Sequence, residues 1–192
     1  HIVGFVGRLA AEKGVHRLTA LNDREDIQLV IVGDGPERPL LEAQLPNAFF
    51  TGSLGGEELA AAYASLDIFV HAGEFETFCQ AIQEAQASGV PTIGPRAGGP
   101  IDLIQHGVNG LLLEVPTFEE ELKDAATWIL DDARLGEMKL AARESVSTKT
   151  WDALCEQLLG YYAQAAASYS PNVVNLFGRS VSLPGWARAP RW

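Results

Sequence analysis

The 192-residue chain has little sulfur: two cysteines, Cys79 and Cys155, and one methionine. Two cysteines give no disulfide framework, and reduced thiols in a cytoplasmic protein are the simple reading. The nine aspartates, at 23, 26, 34, 67, 102, 124, 131, 132 and 152, never recur at a spacing of two. There is thus no D-x-D pair to hold a divalent metal against a diphosphate, and no Cys/His cluster has zinc spacing. Two phosphate-binding motifs are also missing. Lys13 is followed by Gly14 and Val15, so G-x-x-x-x-G-K-[ST] is absent. Gly33-Asp34-Gly35 is followed by Pro36, Glu37 and Arg38, so G-x-G-x-x-G lacks its third glycine. A P-loop ATPase and a dehydrogenase are disfavoured. Positive charge is scarce, with 14 Lys and Arg against 25 Asp and Glu and a net charge of −11, which argues against a nucleic-acid partner. No apolar run reaches the roughly 18–20 residues of a membrane span, and no signal peptide is visible.

What is present reads as a globular core: 47% hydrophobic and 20% charged residues. His1 runs directly into IVGFVG, a buried-strand pattern, and the expectation is the C-terminal part of a longer protein. Apolar runs predict strands at 1–7, 28–33, 47–51, 67–71 and 111–115, and a turn and a fifth strand over 88–95. Helical patterns follow at 15–21, from Pro36 in a first helical turn, at 57–65, 77–88 and 100–105. The 15–21 segment carries Val15, Leu18 and Leu21 at a spacing of three. Six short strands alternating with helices predict an α/β fold, a doubly wound parallel six-stranded sheet with right-handed crossovers. Its ligand should lie outside the carboxyl ends of the strands. The glycine-rich or polar stretches 7–14, 33–38, 52–56, 72–76 and 97–100 all fall there. From residue 116 the pattern is helix only, over 118–130, 133–145 and 151–167, with Trp128 and Trp151 read as core. The last 24 residues carry Arg179, Arg188, Arg191, Trp186 and Trp192 and no acid, a basic aromatic tail on an acidic body.

Residues 69–90, FVHAGEFETFCQAIQEAQASGV, are the centre of the functional reading. Glu76 is placed at a helix entrance and Glu84 eight residues later inside the helix. Helical geometry separates the two by roughly 12 Å along the axis and about 80° around it. Paired glycosidase carboxyls sit roughly 5–10 Å apart, so this is a poor pair for one atom and a good pair for two ends of a long polar ligand. Between them the helix N-terminus favours phosphate. Hydroxyls at both ends and phosphates in the middle describe a nucleotide sugar. Arg8 and Lys13, a planar fork and a point charge, are natural partners for its diphosphate, with solvated surface charges as the bland alternative. Glu76 and Glu84 each have a structural alternative, a dipole-favoured carboxylate and a solvated helix face. His71 reads as a satisfied core or rim histidine, and Gly98 and Gly99 as tight backbone geometry.

The motifs GRLAAEKG, VGDGP, ETFCQAIQE and ASGVP, continued by AGGPIDLIQHGVNGLLL, resemble the C-terminal domain of the retaining family-4 glycosyltransferases of GT-B fold. The resemblance covers about residues 2–162. Within that family the stretch FVHAGEFETFCQAIQEAQASG looks most like the actinobacterial GDP-mannose-dependent α-mannosyltransferases that build glycolipids. The resemblance implies a nucleotide-sugar-binding Rossmann-like domain with C-terminal helices over 1–168, a tail over 169–192, and an N-terminal acceptor domain outside this chain. It implies that Gly7, Arg8 and Lys13 bind the donor diphosphate. Glu76 would contact the transferred sugar and support an oxocarbenium-like transition state. The backbone of Thr77, Phe78 and Cys79 would meet sugar hydroxyls or phosphate, Glu84 the ribose, and Ser53 and Leu54 the base. Such enzymes are metal-independent and need no cofactor. Cys79 stands where the family usually has glycine, which costs something if the position needs positive φ.

The expected partners are a nucleotide sugar, through this chain, and a lipid or glycan acceptor, through the other domain. The chain alone is expected to bind donor without turning over. The tail reads as an arm for the other domain or as a contact with an anionic lipid surface, which would place the protein on the inner face of the plasma membrane. A UDP-sugar donor, or a non-catalytic nucleotide- or phospholigand-binding domain, are the alternatives.

Overall fold

The computed structural model describes residues 1–169 and, beyond them, the backbone of two strands, Val173–Leu176 and Arg179–Ser182. The chain divides into two compact units, His1–Ser147 and Thr148–Trp192.

The first unit is built on six strands: β1 (Ile2–Val6), β2 (Gln28–Val32), β3 (Phe49–Gly52), β4 (Ile68–Val70), β5 (Thr92–Pro95) and β6 (Gly110–Leu113). All their pairings are parallel, in the order β3-β2-β1-β4-β5-β6. Three apolar residues, Ile68, Phe69 and Val70, leave β4 buried along its whole length, as a strand covered on both faces must be. The strand order reverses between β1 and β4, and doubly wound sheets bind ligands at that reversal. Helices α1 (Arg38–Gln44), α2 (Gly56–Ala64), α3 (Gln80–Ala87) and α4 (Pro100–Leu103) follow β2, β3, β4 and β5. Helices α5 (Phe118–Ile129) and α6 (Asp132–Val146) complete the unit.

The segment after β1 is not an α-helix. Ala11–Lys13 and Val15–Leu21 are 3-10 turns. With three residues per turn, Val15, Leu18 and Leu21 fall on one line, and all three are buried. Fully burying a leucine contributes about 1.5–3 kcal/mol, which pins this otherwise weak geometry against α5. Two cores result. One holds Val3, Leu18, Ile31 and Leu122 among others; the second lies around Tyr63, Phe69, Ile82 and Val90.

Several local expectations are corrected. Pro36 precedes α1, and Pro39 is the proline of its first turn. Helix α3 begins at Gln80, three residues later than periodicity predicts, because Cys79 takes a left-handed conformation that no helix continues through. Trp128 is not core. It lies off the inward stripe of Leu122, Ala125, Ala126 and Ile129, is 39% exposed, and carries the Arg134 guanidinium 4.0 Å above its ring.

In the second unit, α7 (Trp151–Ser168) is capped by Thr150, whose hydroxyl accepts from the Ala153 amide at 3.2 Å. Trp151, expected in a core, opens this helix and is 80% exposed. Strands β7 (Val173–Leu176) and β8 (Arg179–Ser182) pair antiparallel. The tail side chains on which a membrane contact was expected, Arg179, Arg188, Arg191, Trp186 and Trp192, lie outside the described residues.

Candidate functional site

The carboxyl ends of β1 and β2 interlock before any charged residue is placed. The Gly7 amide donates to Val32 O and the Leu9 amide to Asp34 O, both at 2.9 Å. Gly33 has φ 135°, and a Cβ there would stand 1.9 Å from the Gly7 carbonyl. Only glycine fits, so the two loops run against each other and fix the start of the 7–14 loop.

Beside Gly7, at the sheet's reversal point, lies a cavity of 190 Å³ whose wall includes Gly7, Lys13, His71, Glu76, Cys79 and Gln80. Lys13 and Glu76 form an ion pair across it, with side chains 27% and 24% exposed. Residues 63 positions apart thus meet in the wall of one cavity. A second cavity, of 360 Å³, is lined by Val6, Gly7, Arg8, Asp34, Ser53 and Leu54 among others. Val6 and Gly7 belong to both walls, so the two hollows adjoin. Arg8 and Lys13 are therefore divided: Arg8 sits in the outer hollow, exposed and paired with Glu12, and Lys13 in the inner one. Larger hollows of 570 and 650 Å³ lie around Asn22–Asn47 and beside Trp128. The former is at the amino ends of the strands and the latter at the β6 edge, away from the reversal point.

Glu76 is not at a helix entrance. It lies in a loop four residues before α3, so the helical spacing to Glu84 does not apply over its full length. A neighbouring loop shapes its backbone. The Gly99 amide donates to Glu76 O at 2.7 Å, and a Cβ at Gly99 would stand 2.5 Å from Thr77 O. The tight geometry read at Gly98 and Gly99 serves this contact. Among the described residues, the amides of Thr77, Phe78, Cys79, Gln80 and Ala81 donate to no acceptor. Cys79, Gln80 and Ala81 line the inner cavity, and Thr77 and Phe78 precede them in the chain; free amides are the type of group that receives phosphate or hydroxyl oxygen. Cys79, the N-cap, has φ 50° and ψ 53°. It is the one non-glycine residue with positive φ among the described residues, at the position where glycine was the expected type. Burial pushes its thiol up to about 11, so it is no nucleophile near neutral pH.

The model of the family described as "Glycosyl transferases group 1" matches residues 1–146. The chain belongs to that family. A GDP-mannose-dependent alpha-mannosyltransferase of Corynebacterium glutamicum is 65% identical over 191 residues, covering 100% of this chain and 46% of that protein. The chain thus spans about half the length of the curated relative it matches. The structure of sucrose-phosphate synthase from Thermosynechococcus elongatus superposes with a TM-score of 0.78 at 28% identity, over 88% of this chain and 46% of the other. That of HepE from Anabaena, solved with UDP and glucose, gives 0.72 at 25% identity over 88% and 48%. The six-stranded parallel sheet is one found in GT-B glycosyltransferases, of which the chain covers about half.

One further feature of this group 1 domain, Arg17, escaped the sequence reading. Arg17 donates to the Ala72 carbonyl at 2.8 Å, lies 3.9 Å from Glu74, and stacks on Phe118 at 5.4 Å, so it clamps the loop that leads to Glu76. Its position in a 3-10 turn, three residues beyond Gly14, is the only signal it leaves in the sequence. Glu84 lines neither cavity. It is half-buried on α3 and accepts from Gln80 Nε2 at 2.9 Å. Tyr63 lies buried beneath it, its phenol pushed up by burial and by the Glu84 charge. Among the described residues no group of three or more His, Cys, Asp or Glu could hold a metal ion. No described helix is long and apolar enough to cross a membrane.

Proposed function

We propose that this chain is the donor-binding half of a retaining, metal-independent hexosyltransferase that takes mannose from GDP-mannose and passes it to a glycolipid acceptor. The observation that carries the reading is the pair of hollows joined at Gly7, one with Lys13 and Glu76, the other with Arg8, Ser53 and Leu54. The 65% identity to a GDP-mannose-dependent relative supports the choice of donor.

In this reading the guanine lies by Ser53 and Leu54, and the diphosphate lies at the Gly7 junction, between Arg8 and Lys13. The ribose turns toward Glu84 and the mannose enters the inner cavity. The free amides of Thr77, Phe78 and Cys79 donate to phosphate or sugar oxygen. Arriving phosphate competes with Glu76 for the Lys13 ammonium, and the released Glu76 carboxylate faces the sugar, where positive charge develops as the glycosidic bond breaks. The leaving diphosphate is stabilised by preorganised donors, Arg8, Lys13 and amides, in place of a metal. The acceptor would bind a part of the protein outside this chain, at the inner face of the plasma membrane in the cytoplasm.

Isothermal titration with GDP, UDP and ADP, without metal and then with magnesium, tests this. GDP is expected to bind tightest, unchanged by magnesium. A preference for UDP would keep the family and replace the donor; HepE, solved with UDP, makes that the second reading. In the full-length enzyme Glu76→Ala should lower kcat by at least 100-fold and leave GDP affinity within about threefold. Equal losses in both would favour a non-catalytic binding domain.

A further inference from the structure

Buried polar atoms nearly always have a hydrogen-bond partner, and an exception asks for an explanation. Among the described residues four buried side-chain atoms lack one: Tyr63 Oη, His71 Nε2, Gln86 Oε1 and Thr92 Oγ1. Of these residues His71 alone lines either hollow of the candidate site, and it does so in the wall that holds Lys13 and Glu76. The satisfied histidine expected at this strand end is therefore half unsatisfied.

His71 is held firmly. It directly follows β4, its amide donates to Ile93 O at 2.8 Å, and its ring lies against Phe69 with centroids 6.5 Å apart. It is 6% exposed. Burial pushes the imidazole down to about 4, against the pull of Glu76, so the ring is neutral near pH 7. A neutral imidazole presents one donor and one acceptor. A hydroxyl can satisfy Nε2 in either tautomer, since it both donates and accepts. A phosphate oxygen can satisfy it only when Nε2 carries the proton. The Glu76 carboxylate in the same wall accepts from hydroxyls and repels an anion. Both groups favour sugar hydroxyls beside them, and the Lys13 ammonium in the same wall is the group that suits phosphate.

We propose that His71 is a contact for the transferred sugar: its Nε2 exchanges one hydrogen bond with a sugar hydroxyl in the cavity it shares with Lys13 and Glu76. This rests on the donor-binding reading above and adds a residue that selects the sugar rather than the nucleotide.

The test compares GDP-mannose with GDP, titrated into the 192-residue chain and its His71→Phe and His71→Gln variants. The expected result is a loss of about tenfold in GDP-mannose affinity for His71→Phe, with GDP affinity changed less than twofold. His71→Gln, whose amide nitrogen reaches the place of Nε2, should recover most of the loss. Unchanged GDP-mannose affinity in His71→Phe overturns the inference and leaves the donor reading standing, as it would if an ordered water satisfied Nε2. Equal losses for GDP and GDP-mannose place the contact on phosphate and also overturn it. A wild-type chain that binds neither ligand takes down the donor reading and this inference together. If His71→Phe does not fold, imidazole ¹⁵N shifts of the wild-type chain decide: Nε2 should move on adding GDP-mannose and stay on adding GDP, and the absence of that difference overturns the proposal.

Discussion

Lys13 pairs with Glu76, and the proposed donor diphosphate competes for the same ammonium. Lys13→Met keeps the length of the side chain and removes the charge. GDP affinity should fall by about 10- to 100-fold, the loss of one or two charge-assisted hydrogen bonds. Titration calorimetry checks this, with a urea melt to confirm that the variant is folded. His71 carries a second prediction. Its folded-state pKa, about 4, lies below the 6.5 of the unfolded chain. Between those values the unfolded state binds a proton that the native state refuses, so stability is lost as the pH falls from 6.5 toward 4. The loss from this residue by pH 4 is on the order of 3 kcal/mol. Urea midpoints measured every half unit should show that slope in the wild-type chain and lose it in His71→Phe. Glu76 and Lys13, which face the ring with opposite charges, are common to both chains.

At the scale of elements, the loop before α4 shapes the loop before α3. Gly99 has an ordinary right-handed conformation, φ −61°, so an added methyl costs nothing in backbone strain. It would meet Thr77 O at 2.5 Å and Cys79 Sγ at 2.8 Å. Gly99→Ala should therefore push the Glu76–Cys79 backbone aside and cost about 1–3 kcal/mol, the range for overpacking. Thermal midpoints check the stability. In the full-length enzyme the same variant should lower turnover, because the displaced residues include Glu76. The 3-10 segment Val15–Leu21 makes a contrasting case. It rests on its buried line of side chains, so Leu18→Ala should cost about 2–5 kcal/mol, read from urea melts, without a steric effect on the site.

For the whole molecule, all the described members of both hydrophobic cores come from His1–Ser147. A chain ended at Ser147 should consequently unfold in one cooperative transition and bind GDP within about twofold of the 192-residue chain. A calorimetric scan and one titration check this. A non-cooperative melt would show that Thr148–Trp192 contributes to the fold of the first unit. Family membership rests on the same part of the chain, since the group 1 match ends at residue 146.

Much of this was legible in the residues. Short apolar runs separated by glycine-rich turns are enough to dictate parallel strands, because buried strands need continuous hydrophobicity and crossovers need length. The spacing of Val15, Leu18 and Leu21 marked a helical segment with one buried line, though not its 3-10 geometry, and GRLAAEKG and ETFCQAIQE carried the family. What the sequence could not carry was anything depending on residues far apart in the chain. The Lys13–Glu76 pair joins positions 63 apart, and Gly99 acts on Glu76 from 23 residues away. The late start of α3 follows from one left-handed residue, which periodicity does not register. The unsatisfied nitrogen of His71 exists only because β4 is central and closed over. Local pattern determines the elements, since period and turn chemistry are local; the sheet's closure decides which polar groups lose water, and so which of them await a ligand.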